Sequence, residues 1–446
     1  MQINNPLLKN NIFPNNIQLS VFKRNLPLIT WISFSLLTIA CYEYGVFFFT
    51  YNVSGTSKLV LYLYLFFVHV FFISGYRRGV RSPMIRQEPM NLVNKNQLIG
   101  IVTVGVILFL FFSFLNLIHR GISLSSSISD LNYARRNWIQ NQGGLKNHFF
   151  FILSISIIPY VSISTSYWNS INKRKKLLLI LLVLFYISEG VRGGSRSGIY
   201  SILTIFFIGT LSAIISMRIK MSLKKFTILT CVLLLLFMSY CTRVRISRNR
   251  TTTSGYVKQL LTVPEYSKTV KKEHPLLFVL PDWLSPGLIS ATYYLGHGYD
   301  GLARCLEKPF NGVAWGMGSS TVVLRNMSRF LKNDNIYNLS YFYRLQKEDG
   351  FPKSLWITMY PWIASDFTFT GSIIFLYFLG WLMGASWMSS LKFYDPIAAI
   401  CLAVIFSTMM HCHNNFSTGD YVSWILFWGS ISSFVITRRY RFRWAY

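Results

Sequence analysis

The chain has 446 residues, 52% of them hydrophobic and 17% aromatic, with a formal charge of +29. Charged residues make up only 13%, which excludes a soluble multidomain protein and points to an integral membrane chain. The basic excess collects in short loops between apolar runs, so it is a topology signal and not a nucleic-acid surface.

A hydrocarbon core about 30 Å thick needs roughly 20 apolar residues per helix. About ten such runs are predicted: 28–49, 58–76, 97–118, 148–168, 177–191, 199–216, 226–241, 369–391, 396–413 and 421–437. Runs 177–191 and 226–241 are short, and are expected to extend into their polar flanks or to tilt less than average. Backbone groups in lipid must be satisfied within their own segment, and the even alternation of a barrel is missing. The expected fold class is therefore an all-α polytopic membrane protein.

In chain order, the first run has no small-x-small cleavage site after it and is predicted to be an anchor. Glu43 is read as lying in the middle of this span, where it costs about 3 kcal/mol if unpaired and so is expected to face a cavity or a partner. The loop after the second run carries Arg77, Arg78, Arg81, Arg86 and Lys95, and basic clusters follow at 172–176 ("NKRKK") and 217–225 ("MRIKMSLKK"). Loops 50–57 and 414–420 carry no Lys or Arg. Together with Lys9, Lys23, Arg24 and the C-terminal "TRRYRFR" at 437–443, this places the basic loops and both termini in the cytoplasm. The predicted location is a bacterial inner membrane, crossed several times.

On that topology "RGGSRSG" at 192–198 is the tip of an outer hairpin, with Arg192 and Arg196 at headgroup depth. Either they snorkel to lipid phosphates, or glycine backbone and guanidinium groups together form an anion site. Glu189 lies one helical turn earlier and is placed to orient Arg192.

Three regions are expected: an N-terminal membrane region 1–241, a large outer loop 242–368 and a C-terminal membrane region 369–446. The loop holds nine of the fifteen acidic residues and sixteen Lys or Arg, a net +7. Concentrating acids on one side is unlike a transporter, which distributes them near the bilayer midplane. "RVRISRNR" at 243–250 sets four arginines at headgroup depth, with Arg243 and Arg250, and Arg245 and Arg248, on neighbouring faces if the seventh helix continues, and contact with lipid phosphates is the structural alternative. The stretch 276–302 is half apolar and is expected to be a re-entrant or broken helix. Val323, Met327, Phe330 and Leu331 share one face of a predicted helix over 319–332 that suits the outer leaflet.

"ATYYLGHGYDGLARCLEKPF" (291–310), "GVAWGMGSS" (312–320) and "LWITMYPWIASDFTFTGSIIF" (355–375) resemble the outer-loop signature of Wzy-type O-antigen polymerases. "RGGSRSG" is similar to a glycine–arginine turn of that family. The similarity covers about a third of the chain, in patches. It implies a metal-independent glycosyltransferase, without a cofactor, that joins oligosaccharide repeat units carried on undecaprenyl pyrophosphate. The implied partners are the lipid-linked donor and acceptor, a flippase and a chain-length regulator.

The residues fit such chemistry. The chain has no Asp-x-Asp pair, so side-chain cations must stabilise the leaving pyrophosphate, and Arg192, Arg196, Arg243, Arg245 and Arg248 are the candidates. His297, Asp300 and Asp366 are candidate acids or bases for the acceptor hydroxyl. Glu189, Tyr293, Arg304, Trp315 and Trp362 are candidate substrate contacts. Each has a structural alternative. His297 sits between two glycines that suggest a turn, Asp300 suits a helix cap, and Asp366 suits an N-cap, with Thr368 or Thr370 as rivals. Tryptophans at this depth also serve as interfacial anchors.

"HCHN" at 411–414 has no third ligand nearby, and its two histidines at i, i+2 point apart. An O-antigen ligase and an exporter of lipid-linked oligosaccharides remain as alternatives, and an intramembrane-His acyltransferase as a weaker one.

Overall fold

A computed structural model describes residues 19–49, 55–81, 92–120, 153–192, 197–249, 270–281, 283–352, 356–392, 395–416 and 421–442. Its helices are α1 (Val21–Tyr44), α2 (Gly55–Arg81), α3 (Leu92–Arg120), α4 (Ile157–Ser166), α5 (Lys173–Arg192), α6 (Ser197–Ile215) and α7 (Leu223–Asn249). They continue with α8 (Ser285–Leu306), α9 (Thr321–Leu331), α10 (Tyr341–Glu348), α11 (Met359–Lys392), α12 (Pro396–His411) and α13 (Tyr421–Phe442). Among the described residues there is no sheet, only an isolated antiparallel bridge between Phe47 and Val270.

The protein is an all-α chain in which α1, α2, α3, α6, α7 and α11 are long and apolar enough to cross a membrane. The expected spans 396–413 and 421–437 correspond to the shorter apolar helices α12 and α13. The described part of the expected span 148–168 is broken: the helical residues 153–154 and a turn precede the ten-residue α4, and a 3-10 turn, Trp168–Ser170, begins at the end of the span. Apolar residues of α3 and α7, such as Ile101 and Leu236, face outward, as lipid-facing side chains do.

Side-chain bonds sort the helix ends into two sets. At one end Tyr76 Oη donates to the Arg24 carbonyl at 2.7 Å, tying the end of α2 to the start of α1. At the same end the Arg218 guanidinium donates to the carbonyls of Ser390 (2.6 Å) and Ser166 (3.1 Å), so the α6–α7 turn closes on α11 and α4. A buried pair, Arg438 with Asp395 at 2.8 Å, joins α13 to the start of α12. The clusters 172–176 and 217–225 lie at this end.

At the opposite end the Met359 amide donates to the Cys412 carbonyl at 2.8 Å, and Tyr200 meets His411 edge-on at 4.7 Å between ring centroids. There α8 lies against the end of α1, the start of α2 and the end of α7. Tyr299 Oη sits 2.8 Å from Thr38 Oγ1 and 2.9 Å from His413 Nδ1, and the Gly287 amide donates to Thr242 Oγ1 at 3.0 Å. Glu307 accepts from the Ser57 hydroxyl.

The largest helix pair, α2 with α11, is built on small residues. A Cβ at Gly75 or Gly79 would collide with backbone oxygens of Tyr377 or Trp381, and one at Gly380 or Gly384 with those of Phe72 or Tyr76. Two glycines four residues apart on each helix bring the backbones together, which in lipid supplies the packing that hydrophobic burial cannot.

Three element boundaries differ from expectation. α7 continues past 241 to Asn249, carrying Arg243, Arg245 and Arg248 on one helix. The stretch expected to be re-entrant is a 3-10 turn, Pro275–Leu277, followed by the unbroken α8. α11 begins at Met359, and its apolar part starts beyond a kink at Thr368, where φ is 64°. Thr368 Oγ1 accepts from the Gly371 amide at 3.2 Å, so Thr368 caps the second half of this helix.

Candidate functional site

The chemistry-bearing residues of the loop gather on α8 and on the glycine-rich turn before α9. His297 is in mid-helix, so the turn reading of its flanking glycines is corrected. Gly298 is there because any side chain would strike the His413 backbone oxygen, and Gly296 because one would strike the Phe49 ring. His297 is only 3% exposed and stacks on Tyr293 at 5.4 Å, while Nδ1 lies 3.1 Å from the Tyr293 carbonyl. Nε2 has no partner among the described residues. Burial lowers its pKa to about 4, so the ring is neutral near pH 7.

Asp300 and Arg304 follow on the same helix and form an i, i+4 ion pair at 3.1 Å. Asp300 is thus interior to α8 and not a cap. Burial pushes its carboxyl up to about 6, against the opposing pull of Arg304. Tyr293 sits in an aromatic cluster with Phe47 (4.9 Å) and Phe49 (5.6 Å).

Beside this pair lies a second cluster, most of which the sequence did not announce. Glu43 is in the last turn of α1, not mid-span, and pairs with Lys58 of α2 at 2.8 Å. Tyr62 also donates to Glu43, and Lys271 Nζ donates to the Glu43 carbonyl at 2.7 Å. Tyr42 is buried within the field of Asp300, Glu43 and Arg304, and its hydroxyl has no partner among the described residues. The readable signal was a carboxylate near the end of one apolar run facing a lysine at the start of the next.

Asp366 has a different environment. Its Oδ1 accepts from the amides of Gly316 (2.8 Å) and Gly318 (3.3 Å), while the Ala314 amide donates to the Ser365 carbonyl at 3.0 Å. The carboxylate therefore clamps the turn 314–319, and it lies inside α11, not at its N-cap. The clamped turn holds Trp315 at φ 53° with 83% of its surface exposed. A left-handed tryptophan persists only where its surroundings fix it, and the Asp366 bonds do so here. Trp424 Nε1 adds a bond to Ser319 Oγ at 3.2 Å.

Trp362 does not meet its expected role as a substrate contact. It is buried and packs on Phe342 with ring centroids 4.5 Å apart. Three other acidic residues of the loop have structural partners: Lys308 holds Glu348 (2.9 Å) and Asp349 (2.7 Å), and Asp334 accepts from Ser328. On α9, Leu324 is buried, while Phe330, Leu331, Arg325 and Arg329 are exposed.

Arg196 and the side chains of Glu189, Arg192, Arg245 and Arg248 lie outside the described residues, and Arg243 is exposed on α7. Among the described residues no three His, Cys, Asp or Glu side chains form a metal-binding group. His411 and His413 turn to different neighbours, Ser407 and Tyr299. The chain matches no known family, no curated protein and no solved structure.

Proposed function

We propose that the protein is a glycosyltransferase of the Wzy type, joining lipid-pyrophosphate-linked oligosaccharide repeats at the outer face of a bacterial inner membrane. The observation that carries the reading is the placement of the Asp300–Arg304 pair. It lies at the helix-bundle end opposite the basic clusters 172–176 and 217–225, at the same end as the helix termini bearing Arg192 and Arg243. By the positive-inside rule that end is extracytoplasmic.

Transfer needs a base for the acceptor and cations for the leaving group. Asp300, ionised above about pH 6, takes the proton of the acceptor hydroxyl as its oxygen bonds to the anomeric carbon of the donor. The bond from that carbon to the lipid pyrophosphate breaks, and Arg192, Arg196, Arg243, Arg245 and Arg248 balance the charge released. His297, neutral and buried, supports α8, and Asp366 positions the Trp315 turn. A flippase supplies the units and a chain-length regulator limits their number.

Reconstitution tests this directly. Full-length protein in vesicles containing single lipid-linked repeats should yield glycans of several repeats, with chelator present and without. An unchanged single-repeat population would refute the reading.

A further inference from the structure

We propose that the junction of α1, α2 and α8 is a saccharide-binding subsite, in which Glu43, Lys58, Tyr62, Asp300 and Arg304 contact the hydroxyl groups of one sugar unit. The proposal deepens the transferase reading and rests on it for the ligand being a glycan. The two ion pairs are partly open: side-chain exposure is 34% for Lys58 and 24% for Glu43, and 22% for Arg304 and 13% for Asp300. A ligand can thus reach both pairs without unfolding anything.

The charge pattern selects the ligand. Each cation already faces a carboxylate, so a phosphate or other anion approaching Lys58 or Arg304 would meet Glu43 or Asp300 at the same place. Hydroxyl groups accept from the cations and donate to the carboxylates without separating either pair. The exposed rings of Tyr44 (79%) and Phe48 (47%) stand beside the cluster, and an aromatic face suits the C–H face of a pyranose. Lys271 fixes the turn from behind through the Glu43 carbonyl and stands over Phe48 at 5.3 Å.

Tyr42 is the second, independent observation. A buried hydroxyl is a net cost to the folded protein when nothing bonds it, and that of Tyr42, which has no partner among the described residues, neighbours Asp300, Glu43 and Arg304. A ligand hydroxyl drawn into the cluster gives it the missing bond.

The test uses full-length protein in lipid nanodiscs on a printed array of bacterial surface oligosaccharides. Wild type should bind a subset of the array, and Glu43→Gln and Tyr42→Phe should each bind those glycans about tenfold more weakly. Tyr42→Phe is the sharper variant. If the hydroxyl were merely structural, its removal would leave binding unchanged, whereas the ligand role predicts weaker binding at an unchanged or higher melting temperature. Absence of glycan binding by wild type, equal binding by both variants, or displacement of the glycan by inorganic pyrophosphate would each overturn the proposal. The polymerase reading fails separately, by an unaltered polymer ladder in a strain lacking the protein, which leaves glycan binding standing.

Discussion

Asp300 and Asp366 belong to the same loop segment, yet their neighbours assign them different work. Asp300 faces one guanidinium and partial solvent, so it can exchange a proton, while Asp366 spends an oxygen on two backbone amides. Asp366→Asn keeps an oxygen acceptor for Gly316 and Gly318 and should retain most polymer formation. Asp366→Ala releases the turn and should lower stability by about 2 kcal/mol, the loss of hydrogen bonds to a charged group. A set of melting curves and glycan ladders from the two variants separates clamp from base: complete loss of polymer in Asp366→Asn with normal stability would contradict the clamp.

For Asp300, burial lifts the carboxyl from 3.8 to about 6. The folded protein therefore keeps a proton between those values that the unfolded chain has released. The contribution of this carboxyl to stability should fall as pH rises through the window and level off above it, in the same sense as that of Asp366 and opposite to that of buried His297, so Asp300→Asn should remove its own share of the pH dependence. The rate of transfer, which needs the carboxylate, should rise through the same window. Thermal unfolding in detergent and initial rates from pH 4 to 8 measure both. At this scale the sequence showed which residue types were present but not their partners. Nothing in "PWIASDF" reveals that Asp366 bonds a turn some fifty positions earlier, because such bonds depend on tertiary packing.

The helices were legible where hydropathy alone decides them, as in α1, α2, α3 and α7. Less legible was α8, whose apolar and polar residues together fit neither a span nor a surface helix. Its glycines suggested a broken or turning backbone, whereas they bring a continuous helix against the His413 backbone and the Phe49 ring. Gly298→Ala should therefore destabilise the protein by about 1–3 kcal/mol, the cost of overpacking against backbone that cannot move aside. A melting temperature equal to wild type would argue that α8 is loosely seated. The pairing of α2 with α11 was readable in principle from "GYRRG" at 75–79, across the basic end of the second run, and "GWLMG" at 380–384, within the eighth, each with two glycines four apart. The kink at Thr368 was not, since a left-handed threonine has no local sequence signature.

For the whole molecule, side-chain bonds divide the helix ends into a basic set and a set that carries α8. If the basic set is cytoplasmic, reporter fusions at Lys332 should read as extracytoplasmic and fusions at Tyr446 as cytoplasmic. A cytoplasmic signal at Lys332 would place the Asp300 cluster on the wrong side for a lipid-linked glycan. The most direct measurement of the central claim is the lipopolysaccharide banding pattern of a strain lacking the gene. Polymerisation is lost while flipping and ligation continue, so the pattern should collapse to lipid A core carrying a single repeat. An intact ladder, or bare core with long lipid-linked polymer accumulating outside the cytoplasm, would contradict the assignment as the repeat-unit polymerase.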